Sequence, residues 1–415
     1  MKHTNTLSVL TIAALMSVSV TGMAQTTAPF FPGKVQTTAI PEEYIDGETH
    51  LRVVHLSRFK TDYAGVIYFT NNTFPSDSRR ALIDAQYKDK WRYLYTFDFE
   101  AMSVRPLVTN HLTNGQIVHP KSGNVYYMAD HAVWVVLLAG GTPRKICKIP
   151  DRWYPGSAGF TINADETLLL SGNTDTGTPP VSSSGPENDV PNVLYTINIK
   201  SGELKVVHRD NKFFGHVQFS PTDPDLLMFC WEGGAERVDR IWFINISQSK
   251  IDAAGHVTSN ARLAFKRTES REVQSHEFWQ PDGKYIWFQH TYRGRKPCVD
   301  FDTRLEVTTG KTTDYVVPEG FRGVHQTWSP DGTFMISDGV APKGDTKPGP
   351  EKYLSKLTLP TDGSNIMKGE HLVNLGANDY AVEPNPHISP DNRWVIFTAT
   401  LHGTAQAYAV ELPRK

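Results

Sequence analysis

Four histidines in the second half of the chain stand a few residues before turn signals that contain proline. These are His216, His276, His325 and His387. Imidazole nitrogens bind divalent metals, and near neutral pH an imidazole can act as a general base. Because the histidines precede similar turns, we expect them to occupy comparable positions in a repeated fold and to converge in space. The alternative is structural, in which each ring packs within its own repeat and hydrogen-bonds a neighbouring loop carbonyl.

Other common catalytic motifs are not evident in the sequence. It has no glycine-rich phosphate loop, no GxSxG elbow and no HExxH, since the pair His276-Glu277 lacks the second histidine. The three cysteines, Cys147, Cys230 and Cys298, show no CxxC or zinc-type spacing. Their odd number leaves at least one of them without a disulfide partner in the same chain.

Seven turn signals, each followed by a short apolar strand, supply the repeat that positions these histidines. The signals begin at Pro75, Pro120, Asn163, Ser220, Gln280, Ser329 and Ser389. Proline fixes φ, aspartate caps the turn and glycine accepts positive φ, so each signal favours a tight turn. Their spacing of roughly 45–60 residues is typical of four-stranded propeller blades. We therefore predict an all-β protein that forms a seven-bladed β-propeller in a single domain.

The first strand-like run and two loops complete this predicted architecture. The first strand-like run is residues 51–56, and an N-terminal strand is expected to pair with the last strands, which closes the ring and removes exposed sheet edges. Residues 171–192 and 341–351 are rich in Gly, Pro and other turn formers and are predicted to be long surface loops. Repeated turns alone do not fix a ring, so a β-sandwich pair or a β-solenoid remains an alternative.

The N-terminus, residues 1–24, is predicted to be a secretory signal peptide. Lys2 precedes an apolar run from Leu7 to Val20, and a small-residue cleavage site ends at Ala24. The run is too short for a confident membrane span, and the alternative is a buried N-terminal helix. The propeller domain then covers residues 25–415, and the protein is expected in the periplasm or outside the cell.

The charge of the chain is nearly balanced. Among its 415 residues, 42 Lys and Arg stand against 44 Asp and Glu, which gives a net charge of −2. Such a balance does not suggest nucleic acid or an anionic membrane surface as a partner.

Several segments around His216 and His276 give the chain a specific resemblance. They read GHVQFSPT at 215–222, MFCWEG at 228–233, VDRIW at 238–242 and SHEFW at 275–279. In this order they resemble oligogalacturonate lyases, most strongly over residues 210–340, moderately at 389–412 and weakly in the first blades. The resemblance implies a seven-bladed propeller that takes part in pectin degradation. It also implies β-elimination as the reaction, with a uronic-acid oligosaccharide as the substrate.

The same resemblance implies catalytic and substrate-binding residues. His276 matches the family's base, which removes the proton at C5 of a uronic acid, and Arg240 matches an arginine that stabilises charge near the scissile bond. His216, Trp231 and Glu232 are expected to contact the substrate. Trp231 stands where the family usually has histidine, and its ring could stack on a sugar.

The implied metal site departs from the family's pattern. Its implied ligands are His325, His387 and Asn385. They would hold a divalent cation, Mn²⁺ first among the candidates, that neutralises the uronate carboxylate. Asn385 and Val382 stand where the family has His and Gln, and valine cannot coordinate a metal, although Glu383 or Asp379 could supply an oxygen instead. Three readings stay open: a mixed His/Asn/Glu cation site, an arginine in place of a metal, or an altered specificity.

Three functions are therefore open from the sequence. The first is a lyase of uronic-acid oligosaccharides. The second is a non-catalytic periplasmic propeller that binds a glycan or an envelope protein; the altered metal ligands argue for it, and the pair His276 and Arg240 argues against it. The third is a glycoside hydrolase, which requires paired carboxylates. Candidates for that pair are Glu232, Glu236, Asp239 and Glu277, but no spacing singles out two of them.

Overall fold

The structure is a computed structural model that describes most of the chain after residue 40. The described ranges are 41–87, 92–109, 114–155, 159–177, 191–232, 238–252, 256–296, 298–339, 353–379 and 381–413. The predicted signal peptide lies outside them, as do residues 178–190 and 340–352 in and around the two predicted loops. Within these ranges, no helix is both long enough and apolar enough to cross a membrane.

The described residues form antiparallel sheets that follow one another along the chain. The first two strands are β1 (Glu43–Ile45) and β2 (Arg52–His55). Blade 1 contains β3 (Tyr63–Gly65), β4 (Arg80–Gln86), β5 (Arg92–Asp98) and β6 (Ser103–Val108). Blade 2 contains β7 (Asn114–Val118), β8 (Asn124–Ala129), β9 (Ala132–Leu137) and β10 (Arg144–Lys148). Blade 3 contains β11 (Trp153–Pro155), β12 (Thr161–Ile162), β13 (Leu168–Asp175), β14 (Asn192–Asn198) and β15 (Leu204–Asp210).

The sheets of the second half include those that carry the candidate histidines. The sheet of blade 4 contains β16 (Phe214–Phe219), β17 (Leu226–Trp231), β18 (Ile241–Asn245) and β21 (Arg262–Leu263). Between β18 and β21 lie a 3₁₀ turn (Ile246–Gln248) and a hairpin formed by β19 (Lys250–Ile251) and β20 (Val257–Thr258). Blade 5 contains β22 (Glu272–Trp279), β23 (Tyr285–Tyr292), β24 (Val299–Glu306) and β25 (Thr312–Tyr315). Blade 6 contains β26 (Gln326–Trp328), β27 (Met335–Ser337), β28 (Tyr353–Thr358) and β29 (Lys368–Asn374). Blade 7 contains β30 (His387–Ile388), β31 (Trp394–Ala399) and β32 (Gln406–Glu411).

Blade 7 is completed by strands from the other end of the chain. Strand β2 pairs with β32, with Val53 opposite Val410, and β1 pairs with β2. The sheet order is therefore β1-β2-β32-β31-β30. This pairing closes the ring and leaves no open edge between the first and last blades. The predictions of an all-β, seven-bladed propeller and of its closure by an N-terminal strand are confirmed.

Each predicted turn joins the first strand of a blade to the second. In blade 5, for example, the turn after β22 contains Gly283 with φ 67°, and the amide of Gly283 donates to the carbonyl of Gln280 at 3.0 Å. The first strands of neighbouring blades contact each other, as β16 contacts β22 and β22 contacts β26, so they surround the central channel. One boundary was predicted wrongly: β13 continues to Asp175, because residues 171–174 pair with β14 and Asp175 pairs with Trp153 of β11 instead of beginning a loop.

The hydrophobic core consists of clusters that lie between adjacent blades. In β31, Trp394 and Ile396 pack against blade 1, whereas Val395 and Phe397 pack against blade 6. Both faces of such a strand are buried, which explains why the second strands are continuous apolar runs in the sequence. Fully burying a large apolar side chain contributes about 1.5–3 kcal/mol, so every blade depends on both of its neighbours.

Candidate active site

One position on the channel-lining strands carries most of the candidate residues. His216, His276, His325 and Asn385 each stand four residues before the first residue of their blade's turn. His216, His276 and Asn385 also share positive φ angles of 47°, 55° and 47°. This left-handed conformation is uncommon for residues other than glycine and often marks functional sites. The expectation that His387 occupies the comparable position is wrong, because His387 lies two residues further on and Asn385 occupies it.

Three of the histidines meet a tyrosine from blade 1. The ring of His276 lies 5.0 Å from that of His325 and 6.0 Å from that of His216. Tyr68 completes the group, with ring centroids 5.6 Å from His216 and 5.5 Å from His325. We call Tyr68, His216, His276 and His325 the four-ring cluster. The cluster draws its members from blades 1, 4, 5 and 6, so it forms only when the propeller is closed.

His276 is a neutral ring in which Nε2 keeps its lone pair. The side-chain amide of Gln289 donates through Nε2 to the carbonyl of Gly323, so its Oε1 faces Nδ1 of His276 at 3.1 Å. Nδ1 must therefore carry the proton, which leaves the lone pair on Nε2. Burial, together with the nearby His325 and His216, holds the pKa of His276 well below its usual range. An unprotonated imidazole in this state can accept a proton from a substrate.

Arg240 lies in a buried network with two carboxylates. Its Nε donates to Oε1 of Glu277 at 2.7 Å, and its Nη1 and Nη2 donate to the Glu232 carboxylate at 2.8 and 3.2 Å. A Cβ at Gly215 would clash with that carboxylate, so a larger residue there would displace Glu232 from Arg240. Nδ1 of His216 lies 2.8 Å from Oε2 of Glu277, as an ion-pair contact without good hydrogen-bond geometry. The network fixes the position of a charge directly beside His276.

This network leaves no protonated carboxyl for a hydrolase mechanism. Burial favours the neutral acid, but Arg240 outweighs it and holds the pKa of Glu232 and of Glu277 below the usual range. Asp239 accepts a hydrogen bond from the backbone amide of Arg267 at 3.1 Å, and Glu236 lies outside the described residues. A glycoside hydrolase needs one carboxyl that keeps its proton near neutral pH. The described carboxylates of this group therefore do not favour hydrolysis.

His216, Cys230 and Glu277 place their possible ligand atoms within 4.8 Å of one another. Two features argue against a metal at this point. Glu277 already binds the cationic Arg240, and burial raises the pKa of Cys230 well above its usual range, which keeps the thiol protonated. Neither Cys147 nor Cys230 forms a disulfide within the described chain.

His325 is oriented by a buried carboxylate. Oδ2 of Asp338 lies 2.8 Å from Nδ1 of His325, while Oδ1 accepts from the backbone amides of Val324 and His325 at 2.8 and 3.1 Å. Burial disfavours the charge on His325, but Asp338 and Glu383 outweigh it and raise its pKa. Its Nε2 lies 3.8 Å from Oε2 of Glu383. A histidine nitrogen and a carboxylate oxygen are thus adjacent, a donor pair that suits a divalent cation.

The other two predicted metal ligands hold the segment that carries Tyr68. Nε2 of His387 donates to the carbonyl of Ile67 at 2.9 Å. Oδ1 of Asn385 accepts from the amide of Phe69 at 3.3 Å. Burial lowers the pKa of His387 to about 4, so its ring is neutral and only Nδ1 keeps a lone pair. These two side chains therefore fix the backbone on both sides of Tyr68.

The remaining altered positions have separate surroundings. Trp231 packs on Trp242 with ring centroids 4.1 Å apart, and its Nε1 has no hydrogen-bond partner among the described residues. Val382 is a buried apolar residue, and Asp379 accepts a hydrogen bond from the amide of Ala381 in its own turn at 3.0 Å. Of the two proposed oxygen replacements, Glu383 is therefore the one that lies near His325.

Sequence reasoning missed three residues of this site, and two of them had a usable signal. Gln289 lies across the β22–β23 hairpin, where it pairs with Ser275, the neighbour of His276. Asp338 follows Ser337, which pairs with Gln326 across the hairpin after His325. Aligning the two strands that flank each predicted turn, residue by residue, would have placed both Gln289 and Asp338 near the histidines. Tyr68 carries no motif and reaches the cluster only through ring closure.

The chain was compared with known families and proteins. A family model described as oligogalacturonate lyase matches residues 34–415. The oligogalacturonate lyase of Dickeya dadantii (strain 3937) is 24% identical over 368 residues, which span 83% of this chain and 89% of that protein. The oligogalacturonide lyase of Pectobacterium atrosepticum is also 24% identical, over 373 residues with the same coverage of both chains.

Solved structures show the same fold. An oligogalacturonate lyase in complex with manganese superposes with a TM-score of 0.73 at 22% identity, covering 90% of this chain and 96% of that one. An oligogalacturonate lyase from Vibrio parahaemolyticus gives the same TM-score and identity, covering 90% of this chain and 97% of that one. At this identity the likeness extends to the propeller and does not by itself assign any residue.

Proposed function

This chain belongs to the oligogalacturonate lyase family, and from that premise we propose that it cleaves pectic, uronic-acid-containing oligosaccharides by β-elimination. The observation that carries the proposal is the state of His276, a neutral ring whose Nε2 lone pair is fixed by Gln289. In the reaction, His276 takes the proton from C5 of the uronate. The electron pair of that C–H bond forms the C4–C5 double bond, and the glycosidic oxygen leaves from C4.

Arg240 supports this step indirectly, through the two carboxylates that it binds. Its side chain is buried, and its three nitrogens donate to Glu232 and Glu277, so we assign it to fixing the charge beside His276. Glu232 shares that role because both of its oxygens bind Arg240. A buried, preorganised charge of this kind stabilises developing charge without rearranging during the reaction.

A divalent cation is the proposed cofactor, with Mn²⁺ first because a structural relative is an oligogalacturonate lyase in complex with manganese. The residues present fit such an ion: His325 offers Nε2 when its ring is neutral, and Glu383 offers a carboxylate oxygen 3.8 Å away. Asn385 and His387 are the further ligands that the sequence predicts, although their side chains bond the backbone of Phe69 and Ile67 in this structure. When bound, the ion would neutralise the uronate carboxylate and so make the C5 proton more acidic.

Substrate contact and export are further parts of the proposal. Trp231, which packs at a tilt against Trp242, offers an aromatic surface for a sugar ring, and His216 lies beside the base. The leader pattern of residues 1–24 supports a periplasmic or secreted enzyme. A non-catalytic scaffold is not favoured, because a fixed and neutral base next to a buried charge has no purpose in binding alone.

The test is direct observation of the unsaturated product. The purified protein is incubated with a panel of oligogalacturonides and other uronate oligosaccharides, and the ultraviolet absorbance of a C4–C5 double bond is followed. The same assay is repeated with chelator, then with Mn²⁺ restored, and with His276→Ala. We expect absorbance to rise with the natural chain, to fall with chelator and to be absent with His276→Ala. No absorbance on any uronate would overturn the proposal.

A further inference from the structure

Tyr68 is the one member of the four-ring cluster that the proposed mechanism does not use. Its ring contacts both His216 and His325, and each of those contacts His276. Tyr68 therefore stands across the cluster from the base. As a whole residue, Tyr68 is partly exposed.

The backbone around Tyr68 is held by blade 7. His387 donates to the carbonyl of Ile67, and the amide of Phe69 donates to Asn385, so both neighbours of Tyr68 are fixed by side chains of the last blade. A surface loop that only filled space would not need two cross-blade bonds around a single residue. The two hydrogen bonds fix the backbone position from which the side chain of Tyr68 extends.

The hydroxyl of Tyr68 ends a chain of polar contacts. It lies 3.1 Å from Nε2 of His216, whose Nδ1 lies 2.8 Å from Glu277, which in turn binds Arg240. The hydroxyl hydrogen of Tyr68 can turn about its C–O bond, away from Nε2 of His216 and towards the oxygen of a bound substrate. Glu277 and His216 thus act as positioning residues for Tyr68.

We infer that Tyr68 is a further catalytic residue, whose hydroxyl donates to the glycosidic oxygen that leaves from C4 while His276 removes the C5 proton. This inference rests on the proposed lyase function. As the C4–O bond breaks, its electron pair stays on the departing oxygen, which takes the Tyr68 proton. Tyr68 then takes a proton from solvent water, and His276 releases the C5 proton to water, which restores both groups. Stabilising a departing oxygen in this way is worth about 100-fold or more in kcat.

The experiment compares Tyr68→Phe with the natural chain on two substrates. The first is an oligogalacturonide, and the second is a galacturonate with an aryl group on the C4 oxygen, whose phenolate leaves without help. We expect Tyr68→Phe to lower kcat about 100-fold on the oligosaccharide with KM within roughly threefold. On the aryl substrate, we expect the loss in kcat to shrink to about threefold or less. Because the second substrate needs the same fold and the same base, it serves as the internal control for folding.

A matched control variant is Tyr127→Phe, which removes a hydroxyl that is fully buried in blade 2 and has no hydrogen-bond partner in the described chain. It is expected to leave both substrates unaffected. Equal losses of Tyr68→Phe on the two substrates, or an unchanged kcat on the oligosaccharide, would overturn the role of Tyr68 alone. Inactivity of the natural chain on every uronate would instead overturn the lyase function and this inference with it.

Discussion

His276 and Glu277 are consecutive residues, yet their side chains belong to separate networks. His276 is partly exposed and bonds Gln289, whereas Glu277 is fully buried against Arg240. The positive φ of His276 lies in a bulge of β22, where the strand departs from regular pairing. A neutral base and an ionised carboxylate are therefore adjacent in the chain without sharing a proton. We therefore expect substitution of His276 to affect activity and substitution of Glu277 to affect stability.

Substituting His276 should remove activity and spare the fold. Asparagine is the suitable replacement, since it tolerates the left-handed conformation that His276 adopts. We expect His276→Asn to lower kcat by at least about 100-fold, the usual contribution of a general base, with little change in melting temperature. The control is His256→Asn, on an exposed hairpin, which should retain full activity. A His276→Asn variant that kept its activity would show that another group is the base.

Substituting Glu277 should cost stability. Removing one partner of a buried ion pair leaves the other charge uncompensated, so Glu277→Ala should lower the free energy of unfolding by about 3 kcal/mol or more. Urea denaturation measures this loss. Glu100→Ala breaks an exposed pair with Arg79 and should change the free energy of unfolding by less than about 1 kcal/mol. Equal effects of the two variants would contradict the buried network.

Gln289 should control the protonation of His276 through its tautomer. Gln289→Leu removes the acceptor at Nδ1, so the proton of the neutral ring can move to Nε2 and block the base. We expect kcat to fall at least about tenfold while KM stays nearly constant. Steady-state kinetics on an oligogalacturonide measures kcat and KM separately. The control is Gln248→Leu, at an exposed position. A change confined to KM would show that Gln289 contacts substrate instead.

Asp338 should set metal affinity through His325. Asp338→Asn weakens the acceptor at Nδ1 and makes Nε2 a poorer ligand, so we expect Mn²⁺ affinity to fall about 10- to 100-fold. Calorimetric titration of the metal-free protein gives this affinity directly, without an activity assay. Asp362→Asn, in an exposed loop, is the control. Unchanged affinity in Asp338→Asn would place the cation away from His325.

His208 should make the fold sensitive to acid. Burial lowers the pKa of His208 from 6.5 to about 4, against the opposing effect of Asp210. Between those values the unfolded chain binds a proton that the folded chain does not, so acidification favours unfolding. The free energy of unfolding of the natural chain, relative to His208→Gln, should therefore decline as pH falls from 6.5 towards 4. A difference that did not vary with pH would mean that folding does not change the pKa of His208.

The sequence predicted the blades well because the turn chemistry and the buried second strands are both local. The runs after Ser220, Gln280 and Ser389 are apolar throughout, since each of those strands packs against two neighbouring blades. It also identified His216, His276 and His325, because each of them stands four residues before its turn.

The partners of those histidines were harder to predict. Gln289 and Asp338 depend on strand register, and Tyr68 depends on two bonds from blade 7, more than 300 residues away in the chain. No local pattern marks such a residue. The same cause explains the wrong expectation for His387. Its residue type suggested the position shared by the other histidines, but Asn385 occupies that position.

The pairing of β2 with β32 also ties this site to the completion of protein synthesis. A nascent chain that has left the ribosome only as far as blade 6 already contains Tyr68, His276 and His325. It still lacks the residues of blade 7 that fix the backbone around Tyr68. A product cut short by a premature stop codon between blades 6 and 7 would thus retain the base yet lack the residues that fix Tyr68, and it would leave β2 with an unpaired edge exposed to proteases.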